Sequence, residues 1–160
     1  MDYLKKVYRS YGTNYFDRDK FKKVYFKEDS YFLNKPQGGF WGSYKKGAGS
    51  WYEFCQGENF KVDTLKKHVD FKIKRWARVL VLEEFDDLRF LPKLRYNKIW
   101  GLVPIDWELL SEEYDIIIVN APRIKAEGWA NGAIDALTSW DVFSVLVCNP
   151  KAIYIVGKEG

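Results

Sequence analysis

The stretch from Lys35 to Phe54 (Lys-Pro-Gln-Gly-Gly-Phe-Trp-Gly-Ser-Tyr-Lys-Lys-Gly-Ala-Gly-Ser-Trp-Tyr-Glu-Phe) sets the tightest limits on what this chain can fold into. Five of the chain's twelve glycines fall between Gly38 and Gly49, interleaved with aromatics, lysine and serine. Glycine opens backbone conformations closed to other residues and lets a ligand approach the main chain. Neighbouring aromatics offer flat faces on which a ring can stack. The order reads as a strand at Phe40-Trp41, a loop, and a helix starting at Ser50, with Ser50 and Glu53 forming a capping box. A glycine-rich hairpin packed on the core accounts for the same pattern.

Two phosphate-binding patterns are absent. The chain has no Gly-x-x-x-x-Gly-Lys-Ser/Thr, and no Gly-x-Gly-x-x-Gly between a strand and a helix with an acid about twenty residues on. At 160 residues the chain fits a single domain, 1–160, able to bury a sizeable core. Cys55 and Cys148 stand far apart and His68 is the only histidine, too few soft ligands for a zinc site. No apolar run reaches the roughly eighteen residues of a membrane span, and none follows Met1 as a signal region would. These features predict a reduced, soluble, cytoplasmic protein. Residues 1–27 hold eight Lys/Arg against three Asp, interleaved with Tyr and Phe. Such a segment can contact phosphates or an acidic protein surface, or form an ordinary solvated face.

Along the chain, strands are expected at Leu4–Tyr8, Phe40-Trp41, Phe60–Val62, Val69–Ile73, Val79–Leu82, Ile116–Val119, Val142–Val147 and Ala152–Val156. Short helical pieces are expected after Asn14 or Asp17, from Ser50, between Glu83 and Arg95, from Pro104-Ile105-Asp106 through Tyr114, and over Trp129–Leu137. Strands outnumber helices and do not alternate with them, which indicates an α+β fold. His68 reads as a surface histidine, Cys55 as a small buried residue, and the acids Glu83, Glu84, Asp86 and Asp87 as a solvated loop or a cation site.

Three pieces line up with one known architecture: Arg9-Ser10 at a strand end, Gly39-Phe40-Trp41 followed by Ser50-Trp51-Tyr52, and Ser144 to Ile153 around Asn149-Pro150. Together they resemble the ADP-ribosyltransferase superfamily, including the poly(ADP-ribose) polymerase catalytic core. They are also similar to small bacterial and phage proteins carrying Lys-Pro-x-Gly-Gly-aromatic-Trp and Trp-Asp-x-x-Ser segments. The resemblance implies split antiparallel sheets with a few short helices, NAD as cofactor, and transfer of ADP-ribose to a macromolecule, nucleic acid or acidic protein, in a bacterial or phage-host cytoplasm. It implies that Arg9 and Ser10 hold the ribose or phosphates and that Trp41 stands in for a stacking Tyr. Ser50 with Trp51 or Tyr52 would close the nicotinamide pocket, with Gly39, Ser43 and Ser144 beside it. The departure is at the last motif, where Ser144 occupies the position of the family's catalytic Glu. Asp141, three residues earlier, becomes the candidate catalytic acid, with Glu127 and Asp135 as further pocket acids. Two rivals stand beside this reading: a non-enzymatic protein that uses the cleft to hold a nucleotide or block a host factor, and a plain nucleic-acid-binding module.

Overall fold

The computed structural model describes residues 2–26, 35–94, 105–128, 137 and 139–159. They form an α+β arrangement of two sheets. Strands β1 (Tyr8–Tyr11), β3 (His68–Ile73) and β7 (Ile153–Glu159) make an antiparallel three-stranded sheet in the order β1-β3-β7. Strands β2 (Phe40–Gly42), β4 (Val79–Leu82), β5 (Ile116–Asn120) and β6 (Phe143–Val147) make a second sheet in the order β2-β6-β5-β4, with β4 and β5 parallel and the other pairs antiparallel.

Side-chain parity explains the apolar runs. Ile116 and Ile118 of β5, with Phe143, Val145 and Val147 of β6, pack against Tyr8, Phe71, Ile73 and Ile153 of the three-stranded sheet. Their alternates Ile117, Val119 and Leu146 point the other way, into a second cluster. That cluster includes Trp107 and Leu110 of helix α2 (Trp107–Glu113), Ile124 of helix α3 (Ala121–Gly128), and Trp140. A strand covered on both faces has no polar side to alternate with, so Ile116 to Val119 are all fully buried.

Several local expectations are met, and others shift for identifiable reasons. Helix α1 (Trp51–Gly57) starts at Ser50, whose hydroxyl accepts from the Glu53 N–H at 3.1 Å, the Ser50 half of the anticipated capping box. Removing this cap in Ser50→Ala is expected to lower stability by about 1 kcal/mol, read as a lower urea midpoint at unchanged slope. Asp106 caps α2 in the same way, with Trp107 and Leu110 buried and Glu112 and Glu113 exposed. The first strand begins at Tyr8 rather than Leu4, because Asp2 caps a tight 3-10 turn over Tyr3–Lys5. No strand forms at Phe60–Val62: Asn59 and Lys61 take left-handed backbone (φ 50° and 47°), and a 3-10 turn follows over Val62–Lys66. Phe60 packs instead edge-on against Trp51 and Phe54.

His68 is a further correction: only 8% exposed, it opens the central strand of its sheet, edge-on to Tyr11. Cys55 is fully buried, as expected. Helix α3, with Pro122 in its first turn, was not anticipated. The helix expected over Trp129–Leu137 lies outside the described residues apart from Leu137, which is buried at a turn.

Candidate functional site

The two sheets meet where Arg9 of β1 and Ser43, just past β2, exchange backbone hydrogen bonds, each N–H donating to the other's carbonyl at 2.9 Å. Beside this junction opens a cavity of about 610 Å³. Arg9, Ser10 and Tyr11 wall it from β1, Trp41 and Ser43 from the glycine-rich stretch, Trp51 from α1 and Ser144 from β6. Lys35 and Lys61 reach it from the connecting segments. Gly38 and Gly39 line it with main chain. Both have positive φ (74° and 68°), and a Cβ on Gly39 would lie 2.6 Å from Leu146 Cδ1. Only glycine therefore lets this segment lie against β6. The conformation is further fixed by Gly39 N–H donating to Lys22 O at 2.7 Å.

Arg9 is held more firmly than the sequence suggested. Its Nε donates to Asp70 Oδ1 at 2.7 Å and its Nη2 to Asp70 Oδ2 at 3.0 Å, a two-pronged pair across the β1–β3 register. Its Nη1 reaches the Tyr11 hydroxyl at 3.4 Å, and that hydroxyl donates to Lys45 O at 2.7 Å. Burial by itself would raise the Asp70 carboxyl, but the Arg9 hydrogen bonds and charge outweigh it and hold Asp70 below the usual carboxylate range. Arg9 is held correspondingly high by its hydrogen bond to Asp70.

The aromatic wall is anchored too. The Trp41 indole N–H donates to Gly38 O at 2.8 Å, and its ring lies 5.3 Å from Trp140, itself 4.8 Å from Trp107. Lys35 Nζ sits over both Trp41 and Trp140, 5.0 and 5.7 Å from the ring centroids. Ser43 donates to Phe143 O at 2.5 Å and Ser144 to Val142 O at 3.0 Å. Each hydroxyl oxygen keeps its acceptor capacity. Ser10, 8% exposed, makes no side-chain hydrogen bond among the described residues. It can donate or accept.

Arg9, Ser10, Gly39, Trp41, Ser43, Trp51 and Ser144 therefore share one cavity, while three other candidates stand outside its wall. Ser50 is buried with its oxygen committed to the helix cap. Tyr52 packs against Tyr11 at 5.9 Å under the Lys46 ammonium. Asp141 is exposed at the entrance to β6, where its charge acts on Lys35 and Lys125. Glu127 is engaged elsewhere, accepting from Phe85 N–H and Arg123 Nε, both at 3.2 Å; Asp135 lies outside the described residues. Glu83 and Glu84 pair with Arg123, Asp86 pairs with Arg89, and Asp87 accepts from the Glu83 and Glu84 N–H groups. No group of three or more His, Cys, Asp or Glu suited to a metal occurs among the described residues.

Sequence reasoning did not single out Asp70, Lys61 or Thr64. Asp70 carried no local signal, because only strand pairing brings it opposite Arg9.

The lining combines three cations with indole faces, hydroxyls and open backbone, and it includes no carboxylate among the described residues. Such a wall suits a ligand with anionic groups, sugar hydroxyls and a flat ring. No family model, curated protein or solved structure matches the chain. No helix among the described residues is long and apolar enough to cross a membrane.

Proposed function

We propose that the chain is an ADP-ribosyltransferase-like protein whose cavity binds NAD. One observation carries this reading: residues from four separate parts of the chain, Arg9-Ser10, Gly39 with Trp41 and Ser43, Trp51 and Ser144, converge on a single cation-lined cavity of about 610 Å³. That volume falls within the range of cofactor sites. The serine hydroxyls suit the ribose, and the indoles suit the rings.

Under this reading Asp141 is the acid that supports transfer, and the acceptor is a macromolecule in the cytoplasm. A second hollow of about 290 Å³ lies across the Gly38-Gly39 wall and is lined by Tyr15, Phe16, Lys20 and Lys22 among others. Its basic, aromatic character supports nucleic acid or an acidic protein as acceptor. A second reading, binding of the nucleotide without turnover, is favoured by the absence of a carboxylate from the described cavity wall. Breaking the nicotinamide–ribose bond develops positive charge on the sugar, and a wall of cations opposes it.

Titration with NAD followed by calorimetry and tryptophan fluorescence tests the shared premise. Trp41→Ala is expected to weaken binding about tenfold or more, the scale of one lost ring stack. Circular dichroism checks that the fold survives. Saturable binding unchanged in Trp41→Ala removes Trp41 from the site, and no binding at millimolar NAD overturns the assignment. Incubation with labelled NAD and cell lysate, separating protein from nucleic-acid products, then distinguishes transfer from binding alone.

A further inference from the structure

The three cavity cations are not equivalent. Arg9 is neutralised by Asp70 through two hydrogen bonds, so it offers an incoming anion little net charge. Lys61 lies beside Phe60, its ammonium 5.2 Å from that ring. Lys35 is different. It is half-buried, it lines the cavity with its ammonium over the Trp41 ring of the wall and the buried Trp140 ring behind it, and it forms no ion pair among the described residues. A cation removed from water without a carboxylate partner is costly, and an anion brought by a ligand relieves that cost. Lysine is a compact point charge on a flexible stem, suited to following a phosphate.

We propose that Lys35 is the phosphate-binding residue of the cavity, and that Arg9, to which the resemblance assigns ribose or phosphates, instead braces the wall through Asp70. The inference rests on the nucleotide reading and deepens it, because it fixes which part of the ligand lies at the Lys35 side of the cavity. The pyrophosphate lies at Lys35, a ring of the ligand lies beside it on Trp41, and the sugar lies toward Ser10 and Ser144.

A dependence on pH follows. Burial lowers the Lys35 ammonium from its ordinary value; Lys125 and Lys61 push in the same direction, and Asp141 opposes them. A bound phosphate raises it again. Affinity is therefore constant while free Lys35 is protonated, and it falls as pH rises through the lowered value of the free protein.

The test uses the full chain, with NAD, ADP and nicotinamide riboside as probes in calorimetry. Lys35→Met is expected to weaken NAD and ADP at least tenfold and to leave nicotinamide riboside, which has no phosphate, unchanged. It should also weaken the salt dependence of NAD and ADP binding, because one screened charge pair is removed. Lys35→Arg is expected to retain most of the affinity and to remove the alkaline fall. Equal NAD and ADP affinity in wild type and Lys35→Met overturns the assignment. So does an equal loss for all three probes, which would mean that Lys35 only props the indoles. ADP binding that depends on Lys35 without NAD binding sinks the NAD reading and keeps this one. NAD binding indifferent to Lys35→Met does the reverse. Lys35→Gln, checked by urea unfolding, repeats the test with a polar side chain should the Met variant fold poorly.

Discussion

Asp70→Ala is expected to lose about 3–5 kcal/mol of stability, the scale of leaving a buried charge without its partner. Arg9 and Asp70 have side chains only 15% and 12% exposed, so the orphaned guanidinium cannot simply turn to water. Arg9→Ala is expected to cost less, because Asp70 retains Lys45 at 3.9 Å, whose side chain is 49% exposed and free to adjust. Urea denaturation of both variants and of the double variant separates the pair's coupling from the two single losses. The pair also sets an acid limit. Asp70 sits below the ordinary carboxylate range in the fold, so its stabilisation is fully present above the unfolded value of about 3.9. It is lost as pH falls through the lower folded value. Wild type should thus destabilise in strong acid more steeply than Asp70→Asn. Equal acid profiles would show that Asp70 does not carry this linkage.

If the protein transfers ADP-ribose with Asp141 as its acid, Asp141→Asn is expected to cut transfer by about 10²–10³. NAD affinity should hardly change, because the carboxylate acts on charge that develops only in the transition state. Ser144→Ala should cost far less, since its hydroxyl donates locally to Val142 O, just before its own strand. Asp141 lies outside the cavity wall, near enough to Lys35 for its charge to act there, so transfer would require the scissile bond to reach beyond that wall toward Asp141. Full activity in Asp141→Asn removes it from the chemistry. A wild type that binds NAD but neither transfers ADP-ribose nor hydrolyses NAD establishes the binding-only reading.

Much of the secondary structure was legible in the sequence because the interactions that specify it are short-range. The Ser50–Glu53 cap, the helix through Tyr114 with Trp107 and Leu110 on one face, and the unbroken Ile116–Val119 run each show their meaning within a few residues. The failures at Leu4–Tyr8 and Phe60–Val62 were also local, but they turned on backbone details, an Asp2 cap and two left-handed residues, that alternation of apolar and polar residues does not reveal.

The α+β class, the start of α1 at Ser50, the strands at Val79–Leu82 and Ile116–Val119 and the need for glycine at the Gly38-Gly39 bend were thus determined by the sequence itself, through propensity, capping and the sterics of a missing Cβ. The tertiary structure alone decided that Arg9 faces Asp70 across 61 residues, that His68 is buried, that Asp141 stays at the surface, and that Lys35 overhangs two indoles without an ion pair among the described residues. Each of these depends on strand register and sheet order. A register shift of one residue turns a side chain to the other face while leaving every local signal in the chain unchanged.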